Sequence, residues 1–177
     1  MLILHGFLVF YYYLCKKIER YNMTNEELMR RACRLSEESV RKGGGPFGAV
    51  IARHGVFVAE ASNSVTLDND PTAHAEVNAI RTACQRLRTF KLDDCAIFCS
   101  CEPCPMCLGA IYWAGISKIY YSNNRKDAAA IGFSDDFIYE EIMRDRQDRC
   151  KPIVELLPEE GKRAFEMWSS DKGKTRY

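Results

Sequence analysis

Cys101-Glu102-Pro103-Cys104-Pro105-Met106-Cys107 is the stretch on which the reading of this chain turns. Cysteines recur at three-residue intervals, and prolines flank the middle one. Pro105 suits the first position of a helix, where its missing N–H is not needed. Cys104 then stands at the helix cap and Cys107 one turn inside, so both sulfurs can converge on one ion. Cys101 lies before the turn. Upstream, Asp70-Pro71-Thr72-Ala73-His74-Ala75-Glu76 supplies an imidazole and a carboxylate. Two thiolates and one imidazole make three zinc ligands and leave a fourth position open to water, the arrangement of a catalytic rather than a structural zinc. Two other readings compete. A redox or disulfide Cys-x-x-C pair needs no histidine. A structural zinc would recruit Cys101 as fourth ligand and close the site.

An open zinc lowers the pKa of its water to about 7, which supplies a nucleophile at neutral pH. The proton must then go somewhere. Glu76 is not needed as a ligand and fits a shuttle that takes the proton and returns it to the substrate. Positions i and i+2 diverge on a regular helix, so His74 and Glu76 face one ion only if the first turn aims both inward. The reaction this chemistry favours is addition of water to an amino-substituted ring carbon and loss of ammonia.

At 177 residues the chain suits one domain with a real core. A formal net charge of +1 gives no strong basic field, so nucleic acid is not the expected partner. Nine cysteines could suggest a secreted disulfide framework, but the count is odd and the cluster dense. Reduced thiols in a cytoplasmic protein are the better expectation. Residues 1–22 stand apart. Leu2 to Leu14 is nearly all apolar, and Lys16 and Lys17 follow. That run is short for a transmembrane helix and lacks the flanks of a signal peptide. The expectation is an extension outside the fold, with a membrane anchor as the alternative, and a domain spanning 23–177.

Thr24-Asn25-Glu26-Glu27 reads as a capping box, and Leu28, Ala32, Leu35 and Ser39 line one helical face. Phe47–Ala52 and Val56–Ala61 flank His54-Gly55 as a hairpin. A helix starts near Pro71-Thr72 and runs to about Leu87. Ala96–Cys99 and Ile119–Tyr121 read as strands, with the Pro105 helix between them. Short helices follow at Ala128–Ala130 and Phe137–Met143. Ile153–Leu157, bounded by Pro152 and Pro158, reads as an edge strand. A last helix spans Glu159 to Trp168, and the tail 171–177 is polar. The alternation implies an α/β fold with a mixed sheet covered by helices on both faces.

Histidine followed by glutamate two residues on, with Pro-Cys-x-x-Cys downstream, is the signature of zinc-dependent base deaminases. With Pro46–Val50, Asp70–Glu76, Cys101–Trp113 and Gly132-Phe133-Ser134-Asp135-Asp136-Phe137-Ile138-Tyr139, the chain resembles the bacterial guanine deaminases of the cytidine-deaminase superfamily from about Met23 to Tyr177. The resemblance implies a three-layer α/β/α sandwich with a mixed five-stranded sheet. It implies a homodimer that exchanges C-terminal segments and converts guanine to xanthine and ammonia. His74, Cys104 and Cys107 would hold Zn2+, and Glu76 would move protons. Asn63 would hydrogen-bond the purine, and Phe47 and Trp113 would wall it. Asp135 would contact the exocyclic amine and help protonate it as it leaves. Tyr177 would close the partner's pocket. Gly173, Thr175 and the N-terminal extension depart from the family pattern. A tRNA adenosine deaminase shares both zinc motifs, and guanosine, cytosine and triazines are further candidate substrates. A zinc-stabilised interaction module is the non-enzymatic alternative.

Overall fold

Thr24 and Glu27 bond reciprocally, Thr24 Oγ1 accepting from the Glu27 amide at 3.2 Å and Glu27 Oε2 from the Thr24 amide at 2.8 Å. This box starts α1 (Asn25–Arg41). The computed structural model describes residues 22–133 and 135–176. The apolar run and the rest of residues 1–21, together with Ser134 and Tyr177, lie outside the described residues. Asn22 already bridges to Val56.

After α1 come β1 (Gly48–Arg53), β2 (Val56–Ser62), a single turn α2 (Val65–Asp68), α3 (Ala75–Leu87), β3 (Cys95–Cys101), α4 (Pro105–Trp113) and β4 (Lys118–Asn123). Then follow α5 (Arg125–Ala130), α6 (Asp136–Met143), a 3₁₀ turn (Arg146–Asp148) and α7 (Pro158–Ser170). His54 and Gly55 both take positive φ, 51° and 80°, as a two-residue hairpin turn between twisted strands requires. The sheet order is β2-β1-β3-β4. β1 runs antiparallel to β2 and β3, Ala49 facing Ala61 and Cys99, while β3 and β4 are parallel with α4 as the crossover.

Period-two alternation gives the sheet two buried faces. On one, Val50, Ala52 and Phe98 meet Leu28 and Ala32 of α1. On the other, Ala49, Ile51, Ile97 and Cys99 meet Ala75, Ala79 and Ala83 of α3 and Ile111 of α4. The α/β/α sandwich with a mixed sheet is therefore present. Among the described residues the sheet has four strands, not five. The expected edge strand Ile153–Leu157 is irregular and exposed, with Val154 at 81% and Leu156 at 82%. Its apolar residues occupy both parities, so no single face could be buried. Leu157 also turns to φ 53° to enter α7, ending any extended run.

Eight cysteines of the described residues are unpaired thiols. Cys95 and Cys99 behave as small core hydrophobes, their thiols pushed up by burial, Cys95 to about 11. No helix among the described residues is long and apolar enough to cross a membrane.

Gly48 is where α1 lies against β1. A Cβ there would sit 2.4 Å from Ala32 O and 2.8 Å from Ser36 N, both backbone atoms. Gly48→Ala should therefore lower unfolding stability by about 1–3 kcal/mol, read as a reduced urea midpoint. An unchanged midpoint would mean that α1 does not pack this closely.

Candidate active site

Two helix N-termini meet at one place. β3 ends at Cys101, and Glu102-Pro103 carries the chain to Cys104, the cap of α4 with Pro105 in its first turn. His74 caps α3 with extended backbone, φ −72° and ψ 154°. That extended residue resolves the spacing problem, because an extended cap followed by a helical turn lets i and i+2 point the same way. His74 Nδ1 lies 3.5 Å from the sulfurs of both Cys104 and Cys107, and Cys107 Sγ donates to Glu76 Oε2 at 3.4 Å.

One donor atom each from His74, Cys104 and Cys107 falls within 4.8 Å of the others. The donor set fits zinc in dimension as well as type. Zinc–nitrogen and zinc–sulfur bonds of about 2.0 and 2.3 Å, at a tetrahedral angle, place the two atoms about 3.5 Å apart. The positive ends of α3 and α4 favour thiolate. Cys104 is drawn down to about 4, chiefly by its hydrogen bond with Cys107 and also by His74. Cys101 is not in the group. Its thiol is pushed up to about 11 by burial and donates to Asn124 O at 3.8 Å.

Beside the cluster is a cleft of about 410 Å³, within the range of small-molecule sites. Phe47, Asn63, His74, Glu76, Cys104 and Asp135 all line it. Glu76 is buried, and burial pushes its carboxyl up from the ordinary range. Asn63, just beyond β2, is buried too. Its Oδ1 accepts from the Gly45 and Val65 amides, each at 3.3 Å. What Asn63 offers a ligand is therefore the Nδ2 donor. Asp135 precedes α6 without capping it, and its Oδ1 is buried with no hydrogen-bond partner. Burial raises its carboxyl as well.

Trp113 does not line this cleft; it is 73% exposed at the end of α4. Six residues beyond Cys107 on a helix is a rotation of roughly 240°, which turns it away from the face that Cys107 and Ile111 bury. Phe133, not singled out from the sequence, stands in the cleft wall instead, edge-on to Phe47 at 4.9 Å. Glu102 is a second lining residue that the sequence did not mark as part of the site.

The chain is similar to several known proteins. Residues 22–123 match the model of the cytidine and deoxycytidylate deaminase zinc-binding region. The chain is 48% identical to the guanine deaminase of Bacillus subtilis over 156 residues, 88% of this chain and 100% of that protein. The crystal structure of the Bacillus subtilis enzyme superposes with a TM-score of 0.84, covering 88% of this chain and 99% of that one. A mutant protein solved in complex with 8-azaguanine is 30% identical, with a TM-score of 0.62 over 64% of this chain and 66% of its own. The tRNA-specific adenosine deaminase of Aquifex aeolicus is 40% identical over 56% of this chain and 66% of its length. The chain thus belongs to the family defined by the cytidine and deoxycytidylate deaminase zinc-binding region.

Proposed function

We propose that the protein deaminates guanine hydrolytically, giving xanthine and ammonia. The observation that carries this is the pairing of Asn63 with Asp135 in one cleft. Asn63 has committed its oxygen to two backbone amides and keeps only a donor. Asp135 holds an acceptor oxygen, buried and unpartnered. Guanine has a carbonyl for the first and an exocyclic amine for the second. Adenine would set its own amine against the Asn63 donor and leave both polar groups unpaired, a costly arrangement in a desolvated site. The near-neutral charge also argues against a tRNA substrate, which calls for a basic face.

His74, Cys104 and Cys107 would hold the zinc. Bound there, zinc makes water reactive at neutral pH. Phe47 and Phe133 press the purine between themselves and the His74 edge of the cleft, excluding bulk water. Asn63 fixes the carbonyl and thereby the orientation of the ring. Glu76 takes a proton from the attacking water and hands it to a ring nitrogen beside C2. Its buried position supports this role, because burial raises the carboxyl above the ordinary range and makes it a stronger base toward the attacking water. Asp135 accepts a hydrogen bond from the amine, and the second proton of the attacking water passes from the C2 hydroxyl to that amine through a neighbouring carboxylate, so that the C2–N bond breaks to give ammonia and the C2 carbonyl of xanthine.

Ammonia release is the assay. Guanine should be turned over, and adenine, cytosine and tRNA should not. Glu76→Gln should keep one zinc per chain and lose about 10²–10⁴-fold in kcat. Release from adenine or tRNA in preference to guanine would overturn the substrate, and a fully active Glu76→Gln would overturn the shuttle.

The assembly is a homodimer in which C-terminal segments are exchanged. What supports this is the C-terminal arm itself. No residue of α7 is buried, and Phe165 and Met167 are 77% and 74% exposed. Ile153, Val154, Leu156 and Leu157 are exposed ahead of it. Apolar surface on this scale needs a cover, and a second copy supplies it symmetrically. Trp113 shares a hollow with Trp168, Lys174 and Arg176 of the same arm, so its role would lie at the subunit junction. Tyr177 would follow the arm into the partner's cleft. Eight unpaired thiols suit a cytoplasmic setting. Deleting residues 171–177 should leave zinc content intact and reduce guanine turnover; an unchanged rate would remove the tail from the site.

A further inference from the structure

The loop that carries Cys104 is tied to the helix behind Asp135 by three side chains to which the reaction assigns no chemistry. Glu102 accepts from Arg125 through the backbone amide at 3.1 Å, Nε at 3.2 Å and Nη2 at 2.6 Å. The Arg125 guanidinium lies over the Tyr139 ring, 4.3 Å from its centre. The Tyr139 hydroxyl donates to Pro103 O at 2.9 Å, one residue before Cys104. Tyr139 is one turn beyond Asp135, and its amide bonds Asp135 O at 3.3 Å. The contacts therefore form a closed ring: Pro103, Glu102, Arg125, Tyr139 and back to Pro103.

What makes the ring consequential is the lack of other anchorage. Among the described residues, neither core cluster takes a residue from α6. The only buried residue of α6 is Glu141, which is tied to Arg144 and the Cys150 amide further along the same segment. Asp135, in contrast, must be held against the metal ligands to reach the leaving amine.

We propose that Glu102, Arg125 and Tyr139 are positioning residues, a polar strut that fixes Asp135 relative to His74, Cys104 and Cys107. The strut rests on the role given to Asp135 above. Arg125 is suited to the task because its planar fork satisfies a carboxylate and stacks on an aromatic face at once, which lysine cannot do. The hydroxyl of Tyr139 sets the register between α6 and the metal loop.

Tyr139→Phe removes that hydroxyl and keeps the ring beneath Arg125. In the zinc-loaded full chain, zinc per chain should stay at one. Amide hydrogens of Asp136–Met143 should exchange faster. Guanine turnover should fall about tenfold in kcat, as expected when a reacting group is held slightly out of place. In an Asp135→Asn background the same change should cost no further kcat, because the group it positions is gone. Unchanged exchange in Asp136–Met143 overturns the strut. So does an equal kcat loss in both backgrounds, which would reveal a merely structural hydroxyl. If Asp135→Asn alone keeps the parent rate, it is the role of Asp135 that fails, and the exchange measurement still decides whether the strut anchors the helix.

Discussion

The convergence of two helix N-termini on one point is the constraint from which the rest follows. α3 brings His74 and Glu76, and α4 brings Cys104 and Cys107. Each N-terminus carries unsatisfied N–H groups and a positive field, which makes it a natural seat for thiolates. The sheet makes the meeting possible. β3 is buried along nearly its whole length and delivers the metal loop from its carboxyl end, while α4 crosses over to the parallel β4. Sites beyond the carboxyl ends of parallel strands are the rule in α/β folds. The alanines of α3 keep that helix close to the sheet, so His74 can reach sulfurs on a different helix.

Around this point the protein keeps polar groups in places that oppose folding. Glu76 and Asn63 are buried, and Asp135 holds an oxygen without a partner. A buried acceptor left unsatisfied costs about 1–3 kcal/mol. Such a cost is tolerated where a ligand will meet it. The cleft is thus incomplete as a piece of folding, and the proposed guanine, with its carbonyl and its amine, would complete it. The exposed apolar arm would be completed in the same sense by the proposed second copy.

Much of this was legible in the sequence because it is local. The capping box at Thr24, the turn at His54-Gly55 and the cap at Cys104-Pro105 depend on residues within a few positions of one another. The pairing of His74 with Cys104 and Cys107 was legible through residue chemistry, since few other tasks call for that combination. How Glu76 could share a face with His74 was left open by periodicity, and the extended backbone of the cap supplies the answer. Trp113 could have been doubted from the helical rotation that separates it from Cys107. Ile153–Leu157 was misread because an apolar run between prolines says nothing about which neighbour will cover it. Phe133 and the Glu102–Arg125–Tyr139 ring were out of reach: Pro103 and Tyr139 are 36 residues apart, and no pattern in either segment announces the other.

X-ray absorption at the zinc edge of the full chain tests the central claim most directly. One zinc per chain, ringed by two sulfurs at about 2.3 Å and two light atoms at about 2.0 Å, is what His74, Cys104, Cys107 and an open water position require. A third sulfur in that shell would place Cys101 on the metal, close the fourth position and contradict the account.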